Sequence, residues 1–419
     1  MNILKSYQLF LIFFLLFITV VLYIPMLNAG YASTDDHVML RSYSGKLVNE
    51  LSFEYIKNTF THYHEGLYHP LVTLSYSLEM ALFGFVPEAF APTIFHIDNI
   101  LLHLVNVLLV FLIFFKLSNS FWLAFIITSL FSIHPTRVEV VAWISSRKDL
   151  VYSLFYLLSI WFYIKTYSSK KIKTYIILSA TMFFFACCSK AMAITLPFVL
   201  VLIDLYKGFF KKQKIKIYLF YIIITLIFVR IAFLSHYEGE DYKFYFNIFT
   251  QTISFINAHF NILFYLDKLI LPIKLYLMYP YFYNEYSMPP AFILYSPAIL
   301  YILIYLSILS LKKTKVIFYG FIFFIITILP SSNIFHIGFF AVADRYTYIP
   351  YLGLFFIFAK AIIYFYNKYN KYIKILIAIF CITIFITLNH LTYKRVLDWQ
   401  KNDYAPPKTM QYYEFGIKF

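Results

Sequence analysis

Long apolar runs alternate with short polar segments along almost the whole chain. The runs are Tyr7–Ala29, Thr93–Lys116, Phe121–Ile133, Leu150–Tyr167, Tyr175–Cys188, Ala191–Tyr206, Ile217–Leu234, Ile293–Leu311, Val316–Leu329, Tyr348–Tyr366 and Ile373–Leu388. Most approach the roughly 20 residues that a helix needs to cross about 30 Å of hydrocarbon. In lipid, each backbone polar group needs a partner inside its own segment, so such runs predict helices. The expectation is an all-α polytopic membrane protein with about eleven spans. The runs starting at Phe121, Tyr175 and Val316 are short, and either extend into their flanks or are partly re-entrant. The first run is long for a signal peptide and lacks a small-residue cleavage site. It reads as a retained signal anchor. The stretch Phe249–Leu277 is interfacial or re-entrant, and two extra spans there would preserve the same topology. The chain reads as one integral-membrane domain, 1–419. Its parts are a long first outer loop (30–92) carrying amphipathic helices, for example Leu71–Phe83, a second outer or re-entrant segment (236–290) and a short outer tail (394–419).

Composition narrows the class. Hydrophobic residues make up 62% and charged residues 13%, about half the charge density of a soluble domain. A soluble globular protein, a disordered chain and a disulfide scaffold are all excluded on that basis. Cys187, Cys188 and Cys381 sit inside apolar runs, without framework or zinc spacing. The net charge of +15 could suggest nucleic acid, but the basic residues form short clusters between apolar runs. Lys5, Lys116, Lys170–Lys173, Lys207–Lys216, Lys312–Lys315 and Lys368–Lys374 all fall on one side, which the positive-inside rule makes cytoplasmic. Of the 20 acidic residues, Asp204 alone lies at a cytoplasmic span end. The polar chemistry is therefore expected on the periplasmic, extracytoplasmic or luminal face. With ten glycines and no glycine-rich phosphate loop, the sequence argues against ATP-driven transport.

The outer face carries the candidate chemistry. Thr34-Asp35-Asp36-His37 follows the first span; one carboxylate could take a proton while the other holds a partner, or both could be solvated loop residues. His62, His64, Glu65 and His69 lie in the same loop. Their spacing suits loop packing or substrate contacts better than metal, for which no strong site exists. His96, Asn99, His103 and Asn106 share one helix face, with His103 and Asn106 suited to interhelical hydrogen bonds and His96 nearer the outer end. In the segment His134–Asp149, Glu139, Trp143 and Arg147 are four apart and would stack on one helix face. Arg147 there suits a lipid phosphate or an ion pair with Glu139 or Asp149. Ser189-Lys190 places a lone cation on the non-cytoplasmic side, either snorkelling or binding phosphate. Asp344-Arg345-Tyr346 offers a second arginine, either toward an anionic headgroup or paired with Asp344.

Taken in order, YASTDDHVML, YHPLVTLSYSLE, FHIDNILLHLVN, HPTRVEVVAWISSRKDLVYSLFYLLS, SKAMAITLPFVLVLIDLY and ADRYTYIPYLG resemble the polytopic GT-C glycosyltransferases. More closely, they resemble the transmembrane and tetratricopeptide-repeat O-mannosyltransferases and their bacterial relatives. The tail VLDWQKNDY resembles the segment that leads into that family's repeats, whereas this chain stops at Phe419. The resemblance implies a GT-C-like fold and sugar transfer from a polyprenyl-phosphate-linked donor to a hydroxyl acceptor, protein Ser/Thr or glycan, with inversion. By the same resemblance the base is Asp35, with Asp36 as helper or alternative. Arg147, Lys190 and Arg345 are the cations for the leaving phosphate, and His69, His96, His134, Glu139 and Tyr346 line the substrate cavity. The donor is a substrate, and no metal or other cofactor is required by this scheme. The implied partners are the lipid-linked sugar, a protein or glycan acceptor and the bilayer, with no nucleic acid. Two other readings compete: a polytopic transporter or lipid-linked glycan flippase, and a surface-glycan polymerase or ligase. Charges gathered at outer span boundaries rather than at the midplane favour the enzyme over the transporter.

Overall fold

The computed structural model describes residues 5–32, 34–39, 51–64, 66–83, 91–238, 248–277, 279, 289–332, 334 and 342–401. The His37 side chain, Glu65, parts of both outer segments and the tail beyond 401 lie outside these described residues. Within them the regular elements are helical, apart from two isolated bridges, His64 with Leu67 and Tyr279 with Val342.

Helix α1 (Ser6–Tyr23) runs into a 3-10 turn, Ile24–Asn28, where Pro25 withholds a backbone donor. Three helices follow in the first polar region: α2 (Thr34–Met39), α3 (Phe53–Thr61) and α4 (Pro70–Phe83). The helix expected around Leu71–Phe83 is α4. Then come α5 (Ala91–Ser118), α6 (Phe121–Ile133), α7 (Val138–Ala142), α8 (Arg147–Lys165), α9 (Ile172–Cys187), α10 (Leu196–Lys207) and α11 (Ile215–Glu238). The remainder are α12 (Ile248–Ile270), α13 (Ala291–Leu294), α14 (Ser296–Ser310), α15 (Lys315–Ile328), α16 (Tyr351–Lys368) and α17 (Lys371–Gln400). The stretch around Phe249–Leu277 thus forms one helix up to Ile270 and leaves helical structure after it.

Local chemistry marks the ends. Ser52, Ser120, Thr314 and Asn370 accept backbone N–H groups at the starts of α3, α6, α15 and α17. Gly208 ends α10 in the left-handed region, at φ 73°, which glycine adopts without a Cβ clash.

Five stretches among the described residues are long and apolar enough to cross a membrane: Ser6–Asn28, Pro92–Ser118, Lys212–Ser235, Ala291–Ser310 and Lys371–Gln400. A sixth results if Phe121–Ile133 and Pro135–Ala142, bent by 57°, form one broken span. The protein is therefore an all-α, multi-pass membrane bundle. Its apolar exterior fits that solvent: Phe10, Phe13 and Phe17 on α1 and Leu376, Ile382 and Ile386 on α17 are all exposed. In water, such continuous apolar faces would be costly.

Inside the bundle, α8 packs along α9, and α5 lies against α6 and α8. Helices α15 and α16 cross where Gly320 faces Gly353; a Cβ on Gly320 would sit 2.5 Å from the Gly353 carbonyl oxygen. At one end of the bundle, the buried Asp204 carboxylate accepts from Tyr163 (2.7 Å), Tyr167 (2.6 Å), Lys214 (2.7 Å) and Tyr218. That single carboxylate ties α8, α10 and α11 together beside the lysine-rich turn.

Candidate active site

The acidic pair divides its labour by register. Consecutive residues on a helix point about 100° apart, and on α2 this leaves Asp35 exposed while Asp36 is fully buried. Asp36 Oδ2 accepts from the Ala32 N–H at 2.8 Å. Its Oδ1 accepts from the Ser145 N–H at 2.9 Å and from the Ser145 hydroxyl. Burial pushes the Asp36 carboxyl above the usual carboxylate range, with the Ser145 and Ala32 hydrogen bonds pulling the other way. Asp36 thus anchors α2 to the 3-10 turn Ile144–Ser146 and presents Asp35 outward.

That turn corrects one expectation. The segment 138–147 is not one helix: α7 ends at Ala142, Trp143 is extended at ψ 118°, and α8 begins at Arg147. Glu139 and Arg147 therefore point to different partners. The Arg147 guanidinium is fully buried, donating to Glu79 on α4, to Asn99 Oδ1 at 2.9 Å and to the Phe95 carbonyl at 3.0 Å. It also lies over the Tyr76 ring at 4.4 Å. Neither Glu139 nor Asp149 pairs with it. Burial pushes the Glu79 carboxyl up to about 8, with Arg147 pulling it down and Asp98 adding to the rise. All of the Arg147 donors in this network serve protein acceptors, so the residue fastens α4 to α5 and α8.

Arg345 pairs elsewhere, and with Glu139 rather than Asp344. Its backbone N–H donates to Glu139 Oε2 at 3.1 Å, and its guanidinium binds Oε1. Asp344 instead holds Arg395 of α17 at 2.6 Å and accepts from the Tyr279 hydroxyl at 3.0 Å. Lys190 Nζ binds Asp149 Oδ1 at 2.5 Å. The half-buried Tyr346 ring lies between the two cations, 5.0 Å from Lys190 Nζ and 5.0 Å from the Arg345 guanidinium carbon. Arg345 also covers Trp143 at 5.1 Å.

Lys148 completes this group, and sequence reasoning missed it as a site residue. Among the described residues it has no carboxylate at ion-pair distance. Burial lowers its ammonium to about 8, helped by Lys190 and Arg345 and opposed by Asp149 and Asp35. Lys148 thus stands within electrostatic reach of both other cations and of the exposed Asp35. The signal was present in Arg147-Lys148-Asp149: consecutive residues at a helix start point about 100° apart, so the neighbour of a buried arginine can face the site.

The histidines divide. His134 is a satisfied interior residue, with Nδ1 against Thr136 Oγ1 at 2.9 Å and Nε2 against the Leu269 carbonyl at 3.2 Å. His103 bridges Tyr348 and Ser132, and Asn106 donates to Leu150 and Tyr348, giving the expected interhelical bonds. His96 reaches the Gly30 carbonyl at 3.4 Å, while its Nδ1 is buried without a partner. His69 Nδ1 meets Thr73 Oγ1 at 3.2 Å and its buried Nε2 has no partner among the described residues. Burial, with Lys148 and His64, drives the His69 imidazole down to about 3. His69 is therefore neutral near physiological pH and sits beside the Lys148 group. Among the described residues, no three His, Cys, Asp or Glu side chains are arranged to hold a metal ion.

No family model matches the chain. In sequence it is similar to the protein O-mannosyl-transferase Tmtc2 of Drosophila melanogaster, 31% identical over 201 residues, covering 45% of this chain and 21% of that protein. The human protein O-mannosyl-transferase TMTC2 is 39% identical over 105 residues, 25% of this chain and 12% of that protein. The chain thus spans about a fifth or less of the length of the curated relatives it matches. A solved structure, the archaeal oligosaccharyltransferase AglB from Archaeoglobus fulgidus in complex with an inhibitory peptide and a dolichol-phosphate, aligns with a TM-score of 0.47 and 11% identity, over 96% of this chain and 56% of that one. The sequence similarity to these protein O-mannosyl-transferases is confined to part of the chain, at 31–39% identity.

Proposed function

We propose that the protein is a membrane glycosyltransferase of GT-C type. It moves a sugar from a polyprenyl-phosphate-linked donor to a hydroxyl acceptor on the outer face of the membrane, through a bundle of about eleven spans with the lysine clusters inside. One observation carries the reading: an exposed carboxylate, Asp35, on a helix fixed by its buried neighbour, lies within electrostatic reach of Lys148, the cation that in turn feels Lys190 and Arg345. The partial likeness to protein O-mannosyl-transferases supports the same class.

In this reading the acceptor hydroxyl attacks the anomeric carbon on the side opposite the phosphate. The new C–O bond forms as the bond to the phosphate oxygen breaks, inverting the centre. Asp35 takes the hydroxyl proton, and the polyprenyl phosphate leaves with the bond electrons. A carboxylate is a suitable base because the hydroxyl becomes acidic only as it bonds to carbon. Negative charge grows on the leaving phosphate, so preorganised cations there favour the transition state over the ground state. Lys190 and Arg345 are already oriented by Asp149 and Glu139, whereas Lys148 has its charge free to meet the phosphate. Arg147 has a positioning role, keeping α4 and α8 in register, and Tyr346 spaces the two oriented cations. Glu139 acts on the site through Arg345, His134 through the packing of the turn behind it, and His69 and His96 border the substrate cavity.

The test is a transfer assay on the purified full chain with a panel of polyprenyl-phosphate sugars and hydroxyl acceptors. Turnover of one donor that disappears in Asp35→Asn supports the reading. Absence of transfer with every donor, alongside transport of the lipid-linked sugar across vesicles, would replace it with the flippase.

A further inference from the structure

Arg137 stands apart from the other buried arginines. Arg147, Arg345 and Arg395 each face a carboxylate, Glu79, Glu139 and Asp344 respectively. Arg137 is fully buried and has no carboxylate at ion-pair distance among the described residues. Its Nη2 donates only to neutral oxygens: Thr136 Oγ1 at 3.0 Å, the Thr347 carbonyl at 3.0 Å and Thr347 Oγ1 at 2.9 Å. Its Nε and Nη1 are buried with no acceptor among the described residues.

The neighbourhood adds donors instead of acceptors. Arg395 reaches into the same turn, donating Nη1 to the Pro135 carbonyl at 3.1 Å, and its Nε is also buried without a partner. The Tyr23 hydroxyl is buried, unpartnered and within the field of both guanidinium groups. Three elements that are distant in sequence thus bring orphaned donors to one buried place, and one positive charge there is uncompensated. Phe131, Tyr348 and Tyr351 lie 5.6, 5.2 and 5.4 Å from the guanidinium carbon. Their ring faces attract the cation but accept none of the in-plane N–H groups. A buried charge without a counter-charge and buried donors without acceptors are both strongly unfavourable.

We infer that a small inorganic monoanion, of which chloride is the simplest, binds between Arg137, Arg395 and Tyr23. One negative charge balances the unpaired guanidinium, and a spherical acceptor can take several N–H and O–H donors at once. Through Thr347, Arg137 holds the turn Asp344–Thr347 that carries Arg345 and Tyr346. The bound anion therefore stabilises the bundle beneath the candidate site. It is independent of the transfer reaction proposed above.

The experiment measures Tm of the detergent-solubilised full chain across a sodium chloride series, with sodium gluconate keeping ionic strength constant. The expected result is a Tm that rises by several degrees with the logarithm of chloride concentration, as for any ligand bound only by the folded state. Bromide should substitute, and Arg137→Met should flatten the response. A Tm indifferent to the chloride–gluconate exchange in the wild-type chain overturns the inference, as does a response retained in full by Arg137→Met. Should that variant fail to fold, Tyr23→Phe removes one donor alone and should move the chloride midpoint about tenfold higher; an unchanged midpoint counts against the site. Crystals grown in bromide should show an anomalous peak within hydrogen-bond distance of Arg137, and a water without anomalous signal there would replace the anion.

Discussion

Asp36 and Ser145 are bonded twice, the Asp36 carboxylate taking both the backbone N–H and the hydroxyl of Ser145. The link spans 109 residues of sequence and joins the helix that carries Asp35 to the turn that opens α8. It gives the two adjacent carboxylates separable roles. Asp35→Asn keeps the shape and removes the proton acceptor, so transfer should fall about 10²–10⁴-fold with Tm and donor binding unchanged. Asp36→Asn turns an NH₂ toward the Ser145 or Ala32 donors, so Tm should fall, with roughly 1–3 kcal/mol lost. Wild-type turnover in Asp35→Asn would remove it as the base.

Lys148 carries the free charge of the cation group. Lys148→Met should lower kcat/KM for the donor by about 10- to 100-fold, the worth of one charge-assisted hydrogen bond, while leaving Tm unchanged. Lys190→Met frees the buried Asp149 and should lower both Tm and turnover. Steady-state kinetics at varied donor, with melting curves on the same preparations, separates the two. Equal kinetic and thermal losses in both variants would refute the assignment of Lys148 to the phosphate.

Arg147 and Glu79 should behave as a buried pair. Arg147→Ala leaves Glu79 beside Asp98 without its cation, and removing one partner of such a pair costs roughly 3–5 kcal/mol. Glu79→Gln combined with Arg147→Met should recover much of that loss. A double-mutant cycle on Tm measures the coupling, and additive losses would show that the pair does not interact.

His69 should make the fold acid-sensitive. Its imidazole titrates near 3 when folded because burial and Lys148 oppose the cation, against about 6.5 when unfolded. Between those values the unfolded chain binds more protons, so stability is complete above about pH 6.5 and declines as pH falls toward 3. One proton gives a slope of about 1.4 kcal/mol per pH unit. His69→Leu should flatten the fall of Tm between pH 6.5 and 4.5. An identical pH profile in the variant would show that His69 binds its proton equally in the folded and unfolded states.

Gly320 and Gly353 leave no room at the α15–α16 crossing. A Cβ on Gly353 would lie 2.3 Å from the Gly320 carbonyl oxygen, and backbone cannot swing aside as a side chain can. Gly353→Ala and Gly320→Ala should each cost about 1–3 kcal/mol through overpacking. Melting curves should register the loss, and full thermal stability in both variants would show that the helices can part without penalty.

Much of the architecture is legible in the sequence. The apolar runs fell on helices, the stretch after His69 became α4, and the polar stripe His96–Asn106 turned inward on α5. Each of these depends on local periodicity and on the cost of polar groups in lipid, which neighbouring residues alone express. Pairing was not legible in that way. Arg147 chose Glu79 over the nearer Glu139, Asp344 chose Arg395 over its neighbour Arg345, and Lys148 has no carboxylate at ion-pair distance among the described residues.

The sequence by itself determined that this chain is a multi-pass helical membrane protein, because hydropathy acts along the chain. It also placed Asp35 and Asp36 together at the end of the first span. Only the tertiary structure decided which of the two is exposed, which arginine lacks a counter-charge and which cations meet. An ion pair is selected by where two buried side chains can reach each other, and partners such as Glu139 and Arg345, 206 residues apart, are set by helix packing rather than by spacing.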